Sequence, residues 1–120
     1  MAFTDPLALT IGGSVKNLVR IDSGRGQSEY SYTDSLMKIT ALIRNSTTKP
    51  GLDGRSKERH AISIRQTVFA TATTAELVRN STISIEHYSG DDVTAYDDLP
   101  IALATLQTAP NVLKLANFES

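Results

Sequence analysis

The sequence predicts an α+β fold, with an antiparallel sheet over residues 1–90 and a helical region over residues 91–120 of a single domain. Two observations carry that expectation. Apolar and polar residues alternate with period two along KITALIRNST and HAISIRQTV, and again along RNSTISIEHY, which marks strands with one buried and one wet face. After Gly90 the pattern changes to LPIALATLQTA and NVLKLANF, two short apolar segments parted by Ala109-Pro110. Strands followed by helices, rather than alternating with them, define the α+β class. A chain of 120 residues is the size of one domain and holds a real but small core.

The elements follow in order. Residues 8–11 and 15–21 read as a short hairpin closed by Gly12-Gly13-Ser14. DSGRGQ is a loop, and residues 28–33 alternate Tyr30 and Tyr32 with Glu29 and Ser31 as a short strand. In the next strand Ile39, Ala41 and Ile43 point one way, and Lys38, Thr40, Arg44 and Ser46 the other, with Leu42 an apolar exception on the polar side. Pro50-Gly51 and Asp53-Gly54 mark a charged turn that holds Lys49, Arg55, Lys57 and Arg59. Beyond it Ile62, Ile64 and Val68 oppose Ser63, Arg65 and Thr67. TATTA is a loop of small residues. The last strand, over 77–88, sets Ile83 and Ile85 against Asn80, Thr82, Ser84 and Glu86. Asp98 stands as an N-cap with Pro100 in the first turn, and acids there suit the helix dipole. Leu99, Ile101, Ala102, Leu103 and Leu106 leave little of this helix polar, so burial is expected. Pro110 opens the second helix.

Composition narrows the function. There is no cysteine, so neither a disulfide frame nor a thiolate metal site, which fits a reducing compartment. No apolar run approaches the length of a bilayer crossing, and MAFTDPLALTIGG, with Asp5 and Pro6 and no basic stretch, does not read as a signal peptide. No membrane partner is expected. The net charge of −1 hides an uneven spread. Residues 44–65 carry six cations against Asp53 and Glu58, while from Glu86 onward the acids face Lys114 alone. A basic middle points to a polyanion on one surface.

Catalytic chemistry is not assembled by any motif. No serine sits in a G-x-S-x-G elbow, and no glycine-rich loop ends in Lys-Ser/Thr. His60 and His87 are far apart in sequence and read as separate structural or surface residues. Asp91-Asp92 and Asp97-Asp98 offer oxygen ligands, but helix capping accounts for them. Accordingly no catalytic residue, metal, cofactor or small-molecule substrate is expected, and the hydroxyl-rich, basic sheet face reads as a binding surface.

The whole arrangement resembles the coat proteins of single-stranded RNA bacteriophages, the levivirus group. The likeness rests on KITALIRNST, the basic turn, RHAISIR, RNSTISIE and the closing helix pair broken by Pro110. It implies a homodimer with one continuous sheet, each subunit's helices lying over the partner's sheet, and dimers closing an icosahedral shell of T=3 type. By the same resemblance the polar face lines the interior and binds genomic RNA through Lys38, Thr40, Arg44, Ser46, Ser63, Arg65, Thr82, Ser84 and Glu86. The dimer interface would involve Ile83, Ile85, Leu99, Leu103, Leu106 and Leu113, with the helices covering the apolar sheet face. Members of the group also grip an operator hairpin and repress replicase translation. Here no Tyr matches the aromatic that stacks a looped base, since Tyr88 lies too far along. The resemblance places the protein in the virion, assembled in the bacterial cytoplasm. Two rival readings are a small non-capsid RNA- or single-strand-binding module, for which Tyr30 and Tyr32 would have to stack bases, and an enzyme using the Asp pairs.

Overall fold

The computed structural model describes residues 3–91 and 98–118, and the chain divides into a strand unit ending at Ser89 and a helical unit starting at Gly90. Six strands make up the first unit: β1 (Leu7–Ile11), β2 (Ser14–Gly24), β3 (Gln27–Thr33), β4 (Met37–Thr47), β5 (Lys57–Val68) and β6 (Leu77–Tyr88). They pair in sequence order, each antiparallel to the next. Every connection is therefore a local turn. Gly12 and Gly13, both with positive φ, close the first hairpin as the sequence predicts. The expected DSGRGQ loop is shorter than its sequence implies, because β2 runs on to Gly24 and the turn tightens around Arg25, whose φ is 51°. Its neighbour Gly26 is anchored from β4, where the Asn45 side chain and backbone both donate to its carbonyl.

The strand β2 serves two partners in succession. Its first half pairs only with β1 (Leu7 opposite Leu18, Ile11 opposite Ser14), and its second half only with β3 (Val19 opposite Ser31, Gly24 opposite Gln27). The ladder is interrupted between Arg20 and Asp22, where Ile21 is the extra residue of a bulge, and a bulge bends and twists its strand. The β1–β2 hairpin consequently folds back over one face of the sheet. Leu7, Leu9 and Ile11 of β1 pack there against Leu18, Tyr30, Ile39, Ala41 and Ile43, which form the core. Leu18, Tyr30 and Ile39 are fully buried. Leu18 and Ile39 each contribute about 1.5–3 kcal/mol by leaving water. Two cations brace this fold-back. Arg20 donates to the Tyr30 hydroxyl (2.8 Å) and to the Phe3 carbonyl (2.8 Å), while the Lys16 ammonium lies 3.8 Å from Asp34 and 5.4 Å from the Tyr32 ring centroid. The helices are thus not the only cover available to the apolar face, contrary to expectation: the N-terminal hairpin covers its β3–β4 part.

In the second unit α1 spans Asp98–Leu106 and α2 spans Ala109–Ala116. Pro100 lies in the first turn of α1 and Pro110 in the first turn of α2, positions where a missing N–H costs nothing. The Asp98 side chain, Asp92, Asp97 and Glu119 fall outside the described residues, and with them the expected cap and acid pairs. The expected burial of α1 is not met within the chain. Leu99, Ile101, Leu103 and Leu106 are all exposed, Leu99 by 80%, as are Val112, Leu113 and Leu115 of α2. A helix this apolar needs a partner surface.

Candidate nucleic-acid interface

Alternation along each strand, combined with the observed register, sorts every sheet residue to a face. Residues directly opposite in an antiparallel pair share a face. Thr40 lies opposite Arg65, Leu42 opposite Ser63, Arg44 opposite Ala61 and Ser46 opposite Arg59. On the other side of β5, Arg65 meets Asn80, Ser63 meets Thr82, Ala61 meets Ser84 and Arg59 meets Glu86. All nine residues picked out by sequence for this surface, Lys38, Thr40, Arg44, Ser46, Ser63, Arg65, Thr82, Ser84 and Glu86, therefore stand on one face across three adjacent strands. Thr40 and Ser63 are half-buried and the other seven exposed. Leu42 is on the same face and half-buried, an apolar spot among hydroxyls. The hydroxyls of Ser63 and Thr82 stand 3.1 Å apart across the ladder.

Two cations that sequence reasoning assigned to the turn belong to this face. The strand β5 begins at Lys57, so Lys57 and Arg59 are strand residues in phase with Ser63 and Arg65. Their even spacing from Arg65 was the available signal, and the Pro- and Gly-rich turn before them masked it. Both bind Glu86: Arg59 Nε donates to Oε2 (2.6 Å) and Lys57 Nζ lies 3.3 Å from Oε1. The Arg59 hydrogen bond, then that of Lys57, hold the Glu86 carboxyl below its ordinary range. Glu86 is thus a clamp on two cations rather than a free acceptor. Among the described residues Lys38, Arg44 and Arg65 make no ion pair. An open depression of about 650 Å³, lined by Gln27, Arg44, Ser46, Arg59, Ser84 and Glu86, occupies the end of the face near Tyr88. The Tyr88 ring is itself covered: the Arg55 guanidinium sits 3.7 Å from its centroid and the Lys57 ammonium 5.3 Å.

Ile83 and Ile85 lie on the opposite, apolar face of β6 and are half-buried, whereas Leu99, Leu103, Leu106 and Leu113 are exposed on α1 and α2. Among the described residues no strand pairs with the outer edge of β6. That apolar face also holds a surprise: His60 and His87, read as unrelated, lie with their Nε2 atoms 2.9 Å apart. Only the strand register brings them together, so sequence distance concealed the pair.

A meandering antiparallel sheet with one hydroxyl-rich cationic face, in a chain that ends in helices with exposed apolar residues, belongs to a subunit that works in many copies; its class is that of phage coat proteins. The chain belongs to the family described as "Phage phiCb5, coat protein", whose model matches residues 4–88, a span that holds all six strands. Among curated proteins no match was found. The family makes this a structural capsid protein of a bacteriophage, assembled from multiple copies and located in the virion. Membership favours the capsid reading over the non-capsid module and the enzyme.

Proposed function

We propose that the protein is the coat protein of a levivirus-type RNA phage, and that it packages single-stranded genomic RNA against the polar face of its sheet. The observation that carries this reading is the in-register array of Lys38, Arg44 and Arg65 among Thr40, Ser46, Ser63, Thr82 and Ser84. Guanidinium and ammonium groups neutralise phosphates, and short hydroxyls reach base edges without adding charge. The single domain acts as a homodimer. Its β6 edges meet, its helices lie over the partner's sheet, and Ile83, Ile85, Leu99, Leu103, Leu106 and Leu113 form the contact. The free edge of β6 and the exposed apolar helices support this arrangement, since both are surfaces that need covering. Dimers close a T=3 icosahedral shell in the cytoplasm of the bacterial host. Binding of an RNA hairpin to the same face represses replicase translation.

The test is filter binding of RNA across a salt series. Arg44→Ala and Arg65→Ala should each weaken binding and flatten the dependence of log affinity on log salt by roughly one unit for each phosphate no longer neutralised. Thr40→Ala and Ser84→Ala should leave that slope alone and change the ranking among hairpins. Neutralising Lys49 and Arg55 in the turn should have a smaller, sequence-independent effect. Binding that survives both face variants but is abolished by the turn variants would place the RNA elsewhere.

A further inference from the structure

The apolar face of the sheet turns polar at one end, where Glu58 and His60 of β5, His87 of β6 and Asn45 of β4 meet. Glu58 and His60 are two residues apart and so share a face. His87 lies directly opposite Glu58, and Asn45 directly opposite His60. Hydrogen bonds fix each group. The Asn45 amide nitrogen donates to the Gly26 carbonyl (2.7 Å), which turns its oxygen toward His60. That oxygen is 2.7 Å from His60 Nδ1, and an amide oxygen only accepts, so Nδ1 carries the hydrogen. His87 Nδ1 is 2.9 Å from the Tyr88 carbonyl and is a donor for the same reason. In the neutral rings both Nε2 atoms are therefore bare lone pairs. Yet they face each other at 2.9 Å, with Glu58 Oε2 3.4 Å from one and 3.8 Å from the other.

Three electron-rich atoms converging on one point repel unless a proton or a metal cation lies among them, and the carboxylate as third member favours the metal. We propose that the site holds a zinc ion, bound by His60 Nε2, His87 Nε2 and Glu58 Oε2. Zinc ligands at about 2.0–2.2 Å in tetrahedral array stand roughly 3.3–3.5 Å from one another, and the three observed separations bracket that value. Two imidazoles and one carboxylate select a first-row divalent metal over Ca²⁺ or Mg²⁺, which take oxygen. The outer contacts also match a metal site, in which each ligating histidine donates its other ring N–H to a carbonyl oxygen. Asn45 and the Tyr88 carbonyl accept those hydrogens here. The side chains of His60 and Glu58 are 35% and 37% exposed, so the ion has an open approach and room for a water as fourth ligand. The metal would tie β5 to β6. It is independent of RNA binding, which uses the opposite face.

The probe is Zn²⁺ alone, titrated into the purified full chain against a chromophoric chelator, with Co²⁺ as a spectroscopic substitute. The chain should take up one Zn²⁺, and Co²⁺ should give the intense visible bands of a four-coordinate ion. His60→Gln or His87→Gln should lose about 100-fold or more in affinity together with those bands. Asn45→Ala keeps all three ligands and should lose about 10-fold, which covers the case in which a histidine variant does not fold. Zinc should raise the melting temperature of the wild type and not that of His87→Gln. Wild-type chain that binds Zn²⁺ no better than His87→Gln would overturn the proposal and leave a shared proton between the imidazoles.

Discussion

Single residues decide how much charge the polar face presents. Glu86 ties up Arg59 and Lys57, so two of the five cations on β4 and β5 share one carboxylate and keep a single net positive charge between them. Replacing it with a neutral isostere should free both. Glu86→Gln is expected to bind RNA more tightly and to steepen the salt dependence by roughly one to two units in filter binding. Asp34 is the second residue whose charge matters. Its Oδ1 accepts from the Leu36 and Met37 backbone N–H groups at 2.7 and 2.9 Å, and its Oδ2 from the Tyr32 hydroxyl at 2.9 Å. The Leu36 and Met37 bonds, then that of Tyr32, hold its carboxyl below the ordinary value. A carboxyl lowered by folding stabilises the native state above its unfolded pKa of about 4, and that contribution disappears as pH falls through the lowered value. Thermal melts should therefore show wild type above Asp34→Asn at pH 7, with the gap closing below about pH 4. A gap that stays constant with pH would assign the effect to packing instead.

Among the elements, the hairpin and the helices make opposite demands. Leu18 is fully buried where β1–β2 folds onto the sheet. Leu18→Ala should cost about 2–5 kcal/mol in chemical denaturation, because a core leucine leaves a cavity that closes only partly. Leu106 is 62% exposed in the chain. Leu106→Ala should change subunit stability by no more than about 0.5 kcal/mol. Its effect should fall on association, read as a lower yield of particles in sedimentation. If Leu106→Ala instead unfolds the subunit while the surviving protein assembles normally, the helix contact is within the chain.

At the scale of the whole molecule, the strand unit is self-sufficient and the helical unit is not. The strand unit has its own buried cluster, and among the described residues no buried side-chain nitrogen or oxygen lacks a partner. The exposed apolar residues of α1 and α2 form no comparable core. Association with further copies is a route to burying them. Expressed alone, the protein should assemble into closed spheres visible by electron microscopy. Sedimentation that finds only monomer at micromolar concentration would reject that expectation.

Period-two alternation is local, so the polar face of β4, β5 and β6 can be read from the residues alone. Thr40, Arg44, Ser63, Arg65, Thr82 and Ser84 were legible for that reason, as were the helix boundaries at Pro100 and Pro110. Proline lacks an N–H and acts on its own turn. Lys57 and Arg59 were misplaced because where a strand starts depends on cross-strand pairing, and here Lys57 pairs with Tyr88, far away in sequence. Register decided the rest: whether Arg59 meets Glu86, and whether His60 reaches His87, depends on how β5 and β6 align. The fold-back of β1–β2 was likewise invisible, since it follows from one unpaired residue at Ile21 and from the apolar face it covers. Periodicity assigns a side chain to a face, but only closure of the sheet assigns it a neighbour.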